Sequence, residues 1–599
     1  MLIDTLSEIP LIDKIDLYLD EINDILKEDL TKDDVHKYLA SNRSSWGDSI
    51  LNDVIKFWID GIYSAHPGLR AFDSKTFSRK VDHFIDLESS HRELARIAVN
   101  NAHSKKWNKG ECEYDGLSML TKEANKQRRV LSPRELMEKG ALSAMMKLKP
   151  CWLMSPLTIS QMLPLEAGLF DLVIFDEASQ VRVEDAVPSI YRAKSVVVVG
   201  DPKQMPPTNF FSAVEYIEDD DDADEDNPEL TQSILDLAAQ IYPPQMLEWH
   251  YRSRAESLIA FSNRAFYGGK LIAAPNPHFL TEGEAMKMHI VERAYFNQKA
   301  GNQEEAECLV SRLAELLSND PSKSYGIITM GQSQKAAIEA AIENRIKRDN
   351  QFKAAVEKAF SYSDTDTDTD TELFVKNLEN VQGDERDVIL LSVGYAPSSP
   401  KKKLYMNFGP LSKLGGGRRL NVAITRAKQR IEIFCSFEPS LIQTDEAAFA
   451  KNPDMVMFGR YLKYAQAVYN KQDDTVEKVL NSFGVSGAIT TRKSSGFSQV
   501  VKLRLEELGY TVSSEIGSNG FYVDLGIHHP VIPTNYMVGI ECDGAIFHSL
   551  PYARDRDKLR QELLESRGWK ILRVWSQDWS RDWKKEIARL DSAIKEMLD

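Results

Sequence analysis

Phe170-Asp171-Leu172-Val173-Ile174-Phe175-Asp176-Glu177-Ala178-Ser179-Gln180 is the stretch that decides the fold. An apolar run ending in Asp-Glu reads as a buried parallel strand that delivers two carboxylates to its C-terminal edge. That edge is where open α/β sheets bind ligands. In folds that hydrolyse nucleotides, the first acid holds Mg²⁺ and the adjacent acid orients the attacking water. A second apolar run, Val196-Val197-Val198-Val199, reads as another buried strand and ends in Gly200-Asp201, with Gln204 just beyond. A glutamine there can reach a γ-phosphate. One such pair is common in unrelated sheets, whereas two in this order point to a nucleotide-driven motor.

Further elements follow in order. Trp249-His250-Tyr251-Arg252-Ser253 comes first, then Asn380-Val381-Gln382-Gly383-Asp384-Glu385-Arg386-Asp387 running into the apolar Val388 to Val393. Arg418-Arg419-Leu420-Asn421-Val422-Ala423-Ile424-Thr425-Arg426-Ala427-Lys428 leads into Ile431-Glu432-Ile433-Phe434. Alone, a Tyr-Arg or Thr-Arg pair reads as a surface salt bridge. Together the series resembles motifs II to VI of superfamily 1 helicases, across residues 146–440. The resemblance implies an α/β, RecA-like core that uses ATP and Mg²⁺. It implies that Asp176 binds Mg²⁺, that Glu177 is the catalytic acid/base, and that Gln204 senses the γ-phosphate. Arg252 and Arg426 would be arginine fingers, each worth roughly 10³ to 10⁵ in rate. Asp201, Tyr251, Gly383 and Glu385 are the expected nucleotide contacts, Glu385 touching the ribose or linking nucleotide to nucleic acid.

One element is missing. The sequence contains no Gly-x-x-x-x-Gly-Lys-Ser/Thr, the backbone nest and lysine that cradle the β- and γ-phosphates. Gly415-Gly416-Gly417-Arg418 lies late and lacks the Lys-Ser/Thr. Upstream, Leu2 to Lys27 and Glu88 to Ala102 read as amphipathic helix, so residues 1–145 are expected to be a helical accessory region. Cys151-Trp152-Leu153-Met154-Ser155-Pro156-Leu157-Thr158 looks like a strand and turn that touch the tracking strand. The expectation is the C-terminal part of a larger helicase, or one gene of a split pair. The loop would then come from an N-terminal segment or a second polypeptide, and ATP turnover by this chain alone is not expected.

Composition fits a multidomain protein of 599 residues, at a prior of about 150 residues per domain. No apolar run reaches membrane length, and Asp4, Glu8, Asp13 and Asp16 exclude a signal-peptide pattern. Five cysteines without a CxxC pair fit a reducing, cytoplasmic compartment and argue against a zinc or iron–sulfur site. The net charge of −16 is the wrong sign for a protein that merely coats DNA. Much of the excess sits in Glu218 to Asp226 and in Asp364 to Asp370, read as solvated inserted loops, the alternative being an acidic mimic that occupies a nucleic-acid groove until substrate arrives.

Residues 441–490 read as a helical linker, and residues 491–599 as a further unit. Residues 146–240 and 241–440 would be the first and second RecA-like domains, the first incomplete. In the last unit, Phe497 to Leu508 is an amphipathic helix, followed by strands at Gly520 to Ile527 and Tyr536 to Gly544. Glu541 and Asp543 are two apart on a strand and share a face, and a neighbouring strand can bring Asp524 beside them. Three converging acids bind a hard divalent ion and activate water against a phosphodiester. The bland alternative is a set of exposed strand carboxylates. Glu541-Cys542-Asp543-Gly544, Ala545-Ile546-Phe547-His548, Arg554-Asp555-Arg556-Asp557 and Gly568-Trp569 to Arg573-Val574-Trp575 resemble the very-short-patch-repair-like branch of PD-(D/E)XK endonucleases. That resemblance implies Asp524 and Glu541 as ligands for Mg²⁺ or Mn²⁺, with Asp543 where many relatives carry lysine. His548 would assist proton transfer. Arg554, Arg556 and Arg560 read as one helix at spacings that favour phosphate contacts, the alternative being pairing with the interleaved Asp555 and Asp557. Against the family pattern, the acid of the leading helix is replaced by Ser498 or Gln499. Two readings stay open, with DNA (single-stranded or a duplex end) as the partner and no membrane. One is an ATP-driven helicase–endonuclease for bacterial defence or DNA repair. The other is an ATPase-dead helicase-like scaffold that positions a nuclease or a partner.

Overall fold

A computed structural model describes residues 61, 62, 64, 65, 73–108, 114–207, 232–277, 285–361, 372–399, 403–413, 415–484, 495–517, 521–543, 552 and 554–597. His548, both acidic runs and the helix expected at Leu2 to Lys27 lie outside them. Two compact units are present, residues 1–92 and 93–599. The described part of the first is helical and includes the start of α1 (Ser74–Asn108). The rest of the description concerns the second.

The first lobe holds α2 (Pro156–Met162), β1 (Phe170–Phe175), α3 (Val183–Tyr191), β2 (Ala193–Val198) and α4 (Ile234–Ile241). β1 and β2 pair in parallel, Phe175 opposite Val198, so both loops that follow leave from the same edge. The parallel pairing matches the sequence; the expected burial does not. Leu172 and Ile174 are 47% and 60% exposed, and Val197 and Val199 are 42% and 43% exposed. Parallel sheets are buried because neighbouring strands and crossover helices cover them, and among the described residues this sheet has two strands. The strand expected at Cys151 is also absent. Residues 151–155 are irregular, and Ser155 caps α2 by accepting from the Thr158 N–H, with Pro156 in the first turn.

The second lobe is an all-parallel sheet in the order β5-β9-β8-β6-β7: β5 (Met286–Ile290), β6 (Tyr325–Thr329), β7 (Phe374–Asn377), β8 (Arg386–Ser392) and β9 (Ala427–Cys435). Alternation sorts its side chains into two cores. Ile328, Ile389, Leu391, Ile431 and Ile433 pack on one face, against α5 (Ser257–Phe266), α8 (Gly416–Ile424) and α9 (Pro453–Tyr469). Ile327, Val388, Leu390 and Phe434 pack on the other, against α6 (Gln303–Asn319) and α7 (Gln332–Ile346). The stretch expected as a linker is therefore not one: α9 buries Phe458, Tyr461, Leu462 and Tyr464 in the second lobe's core. Aromatic residues at helical spacing, rather than the surrounding lysines, decide where it sits.

The C-terminal lobe is a four-stranded sheet, β10 (Val512–Ile516), β11 (Val523–His528), β12 (Tyr536–Asp543) and β13 (Ile571–Trp575), in that order. The first three strands run antiparallel and β13 is parallel to β12. α10 (Gly496–Glu507) and α12 (Ser576–Glu596) cover one face through Val501, Leu505, Trp579, Leu590 and Ile594. Between them in sequence, a π-helical turn over Arg554–Leu559 leads into α11 (Arg560–Ser566).

Candidate functional site

The Asp-Glu edge forms because Val199 donates its N–H to the Phe175 carbonyl and Ala178 donates to Val199. This pins the two loops after β1 and β2 side by side. Glu177 sits in the left-handed region (φ 50°), a conformation uncommon for a residue with a side chain, and its N–H donates to Asp176 Oδ1 at 3.0 Å. The twist turns the Glu177 carboxylate toward the second lobe, where Gln382 Nε2 donates to its Oε2 at 2.8 Å. Residues distant in sequence thus meet across one cleft.

Around that contact lie both predicted arginines. Arg252 donates through Nε to Glu385 Oε2 at 2.5 Å, and Lys428 Nζ lies 2.9 Å from Glu385 Oε1. Burial raises the Glu385 carboxyl, but the bonds from Arg252 and Lys428 outweigh it and hold the group below its ordinary range. Arg426 is 2% exposed and held by its own turn, donating to the Val422 carbonyl at 2.8 Å and to Thr425 Oγ1 at 3.1 Å. Burial, followed by repulsion from Arg252, pulls it down to about 10. Two guanidiniums, Arg252 bonded to Glu385 and Arg426 held by its own turn, thus face each other at this edge and repel. The turn presenting Tyr251 and Arg252 is closed by His250, whose Nε2 accepts from the Ser253 N–H at 3.0 Å. Burial, then the charges of Arg252, Arg567 and Arg426, pushes this imidazole down to about 4, so it is neutral.

Gln204 donates through Nε2 to Asp201 Oδ2 at 2.9 Å. Tyr267, in the second lobe, donates its hydroxyl to the same oxygen at 2.6 Å. Asn421 Nδ2 donates both to the Tyr267 hydroxyl (2.8 Å) and to the Lys203 carbonyl (2.9 Å). The amide oxygens of Gln204, Gln382 and Asn421 are buried without a hydrogen-bond partner. Buried acceptors left open are costly unless something fills them, and here three line the same cleft. Gly383 has φ 90°, a turn that favours glycine. Tyr251 is 72% exposed, its ring carrying the Arg252 guanidinium at 6.0 Å.

In the C-terminal lobe the ladder pairs Leu525 with Ile540, so one step along it Asp524 faces Glu541. Asp524 Oδ2 accepts from the Cys542 N–H at 2.8 Å. Asp524, Glu541 and Asp543 are buried. Burial drives the Cys542 thiol well above its usual value, and Asp524, Glu541, Asp543 and Glu515 around it add to the effect. Burial also lifts Asp543 to about 7, against the pull of Arg573, whose Nε is 3.8 Å away. Asp543 Oδ2 is buried with no hydrogen bond. Arg560 holds Glu541, donating through Nη2 to Oε1 at 2.9 Å. Among the described residues no three His, Cys, Asp or Glu side chains are placed to hold a metal together. The donors are nonetheless hard oxygens of the kind Mg²⁺ and Mn²⁺ take, and Asp543 keeps one oxygen open. Ser498 offers no replacement ligand: it is buried and donates to the Ser495 carbonyl at 2.9 Å.

Comparison with known proteins bears on both regions. AAA domain families match residues 89–212 and 230–438, and the REase_MTES_1575 family matches residues 497–594. The chain carries AAA-type helicase domains and a restriction-endonuclease-like domain. An ATP-dependent helicase of Mycoplasma pneumoniae, the MG140 homolog, is 29% identical over 72% of this chain and 37% of its own length. The corresponding Mycoplasma genitalium helicase, MG140, is 29% identical over 75% and 39%. Helicase sen1 of Schizosaccharomyces pombe is 26% identical over 46% and 15%. The chain thus spans about two fifths of the Mycoplasma helicases it matches. No helix among the described residues is long and apolar enough to cross a membrane.

Sequence reasoning quoted Gln382 and Asn421 inside their motifs without giving either a role. Tyr267 was missed outright. It sits just past the end of α5, and nothing in its neighbourhood marks a tyrosine that will cross a cleft. The helicase domains' Trp249 was likewise only a motif letter, yet its ring meets Phe521 of the endonuclease-like domain edge-on at 5.6 Å.

Proposed function

We propose that the chain couples an ATP-driven DNA helicase core, of superfamily 1 type, to a metal-dependent DNA endonuclease serving bacterial defence or DNA repair. The phosphate-binding loop reaches the cleft from another segment or polypeptide. The observation that carries the reading is the meeting of Gln382, Arg252 and Arg426 around the Glu177 edge. Supporting it, five motifs scattered along the sequence converge on this edge, with the buried amide oxygens of Gln204, Gln382 and Asn421 among them. In this reading Asp176 holds Mg²⁺, Glu177 positions water, and Gln204 reports the γ-phosphate. The two arginines balance charge as it spreads over the phosphoryl oxygens. Asp201, Tyr251, Gly383 and Glu385 frame the nucleotide, with Glu385 released from Arg252 when the latter turns to phosphate.

In the C-terminal lobe Asp524 and Glu541 would hold Mg²⁺ or Mn²⁺, which supplies Lewis acidity toward a phosphodiester oxygen. Asp543 tunes that site, and His548 moves a proton. The domain limits proposed are residues 1–145, 146–240 and 491–599, with the second helicase domain running from 241 through α9, whose aromatic residues complete its core. Supercoiled plasmid with Mn²⁺ is the test, because a single nick is visible. Asp524→Asn and Glu541→Gln should each abolish nicking, Asp543→Asn should cost less, and EDTA should stop the reaction. Equal plasmid patterns from wild type and Asp524→Asn would remove the endonuclease assignment and leave a DNA-binding scaffold.

A further inference from the structure

The endonuclease-like domain is anchored on the short segment that carries the arginine finger. Arg567 donates to the Tyr251 carbonyl at 2.8 Å, one residue from Arg252, and Trp569 Nε1 donates to the Pro275 carbonyl at 2.9 Å. Tyr536 donates its N–H to the Pro277 carbonyl at 2.7 Å. Trp249, in β3 (Trp249–His250), meets Phe521 edge-on. β3 pairs with β4 (Ile272–Ala273), and Ala274 joins Phe521, Tyr536 and Trp569 in one apolar cluster. The Phe521 ring also carries the Arg560 guanidinium at 4.2 Å. Arg560 in turn donates to the Tyr522 carbonyl at 2.5 Å and to Glu541 Oε1 at 2.9 Å. An unbroken series of contacts therefore runs from the finger segment to a proposed metal ligand: Trp249, Phe521, Arg560, Glu541.

We propose that Arg560 is a positioning residue that latches Glu541 away from the metal, and that the Trp249–Arg252 segment sets the latch. The proposal rests on the metal-site reading above. Arg560 holds Glu541 Oε1 with a charge-assisted bond, so a cation that uses this oxygen must displace a guanidinium. Phe521 fixes where that guanidinium lies, and Trp249 fixes Phe521. Arg252 is bonded to Glu385; when it turns to a nucleotide phosphate, its segment shifts and Trp249 moves with it. Nucleotide occupancy in the helicase cleft is thereby transmitted to metal occupancy in the endonuclease-like domain, with β3 as the moving part.

The test is Mn²⁺ binding to the full chain, followed by electron paramagnetic resonance of the free ion, with plasmid nicking in parallel. Arg560→Gln should tighten Mn²⁺ about fivefold to twentyfold, the range expected for releasing a partly buried charge pair. Trp249→Ala should tighten it about twofold to fivefold by loosening the same pair. Trp249 is 44% exposed, so its truncation leaves no buried cavity. The double variant should bind no more tightly than Arg560→Gln alone, since both act on one latch. Weaker binding in either variant overturns the latch. Wild-type affinity in Trp249→Ala beside tightened Arg560→Gln overturns the link to the finger segment. Unchanged affinity in Glu541→Gln removes the metal site itself, and the latch with it.

Discussion

Trp569→Ala should detach the endonuclease-like domain from the helicase domains and destabilise it. Trp569 is 2% exposed, stacked on Tyr536 at 5.5 Å between centroids, and close enough to β12 that a Cβ at Gly539 would lie 2.9 Å from its ring. Removing a buried tryptophan costs about 3–5 kcal/mol. Its Nε1 also satisfies the buried carbonyl of Pro275, and leaving an acceptor unmet adds about 1–3 kcal/mol. The combined loss, about 4–8 kcal/mol, is comparable with the whole stability of a domain of this size. Trp569→Phe separates the two contributions: the ring stays and the hydrogen bond goes, so the loss should fall to about 1–3 kcal/mol, with most of it in docking. Differential scanning calorimetry should show the alanine variant with a separate, lower transition for residues 497–594, the stretch matched by the endonuclease family. Limited proteolysis should then cut ahead of α10 in both variants, faster in alanine. An alanine variant that melts as one unit at the wild-type temperature would refute the anchoring argument.

The isolated chain should hydrolyse ATP negligibly with or without single-stranded DNA, because positioning the phosphates is most of the catalysis; DNA-stimulated turnover abolished by Glu177→Gln would contradict this. Burial lifts Glu305 from 4.5 to about 7, ahead of the bonds from Ser436, Ser392 and Gly394 that lower it. The folded state therefore holds this proton more tightly than the unfolded one. That stability is intact below pH 4.5 and is lost as pH rises to 7, by at most about 3 kcal/mol. Glu305→Gln should flatten that part of a denaturation-versus-pH curve, and a curve unchanged in slope would count against the burial argument. Arg192→Leu leaves the carbonyls of Leu163, Pro164 and Pro188 without their guanidinium donor. It should cost about 3 kcal/mol, and lysine should not rescue it because the fork geometry is lost; a rescued lysine variant would show that charge alone suffices.

What the sequence disclosed and what it withheld divide along a physical line. β1, β8 and β9 were legible because an apolar run with an edge motif specifies both a strand and its open end. The shared face of Glu541 and Asp543 was legible because strand alternation is a local rule, whereas the facing of Asp524 and Glu541 depends on a register between two strands that only the fold supplies. Burial of β1 was misjudged because it depends on neighbouring strands, which no window of residues reports. α9 was misread as a linker for the opposite reason: its lysines and acids were visible, but the surface awaiting Phe458 and Tyr461 was made elsewhere. Tyr267 and Trp249 were beyond reach, since each gains its meaning from a partner in another lobe. The latch on Glu541 was hidden in plain view: Arg560 was singled out for phosphate, and only the fold shows that its nearest anion is the protein's own carboxylate.

Glu177 combines a left-handed backbone with a side chain that such a backbone disfavours, at a cost on the order of 1–3 kcal/mol. Glycine there would relax the turn and stabilise the lobe while removing the carboxylate that Gln382 grips. Under the proposed role of Glu177 in turnover, selection for thermal robustness and selection for activity pull this codon in opposite directions. A descendant in which that role had lapsed should drift to glycine or asparagine at this position before its core changes. One residue would then record, in any lineage sampled, whether the motor was still being used.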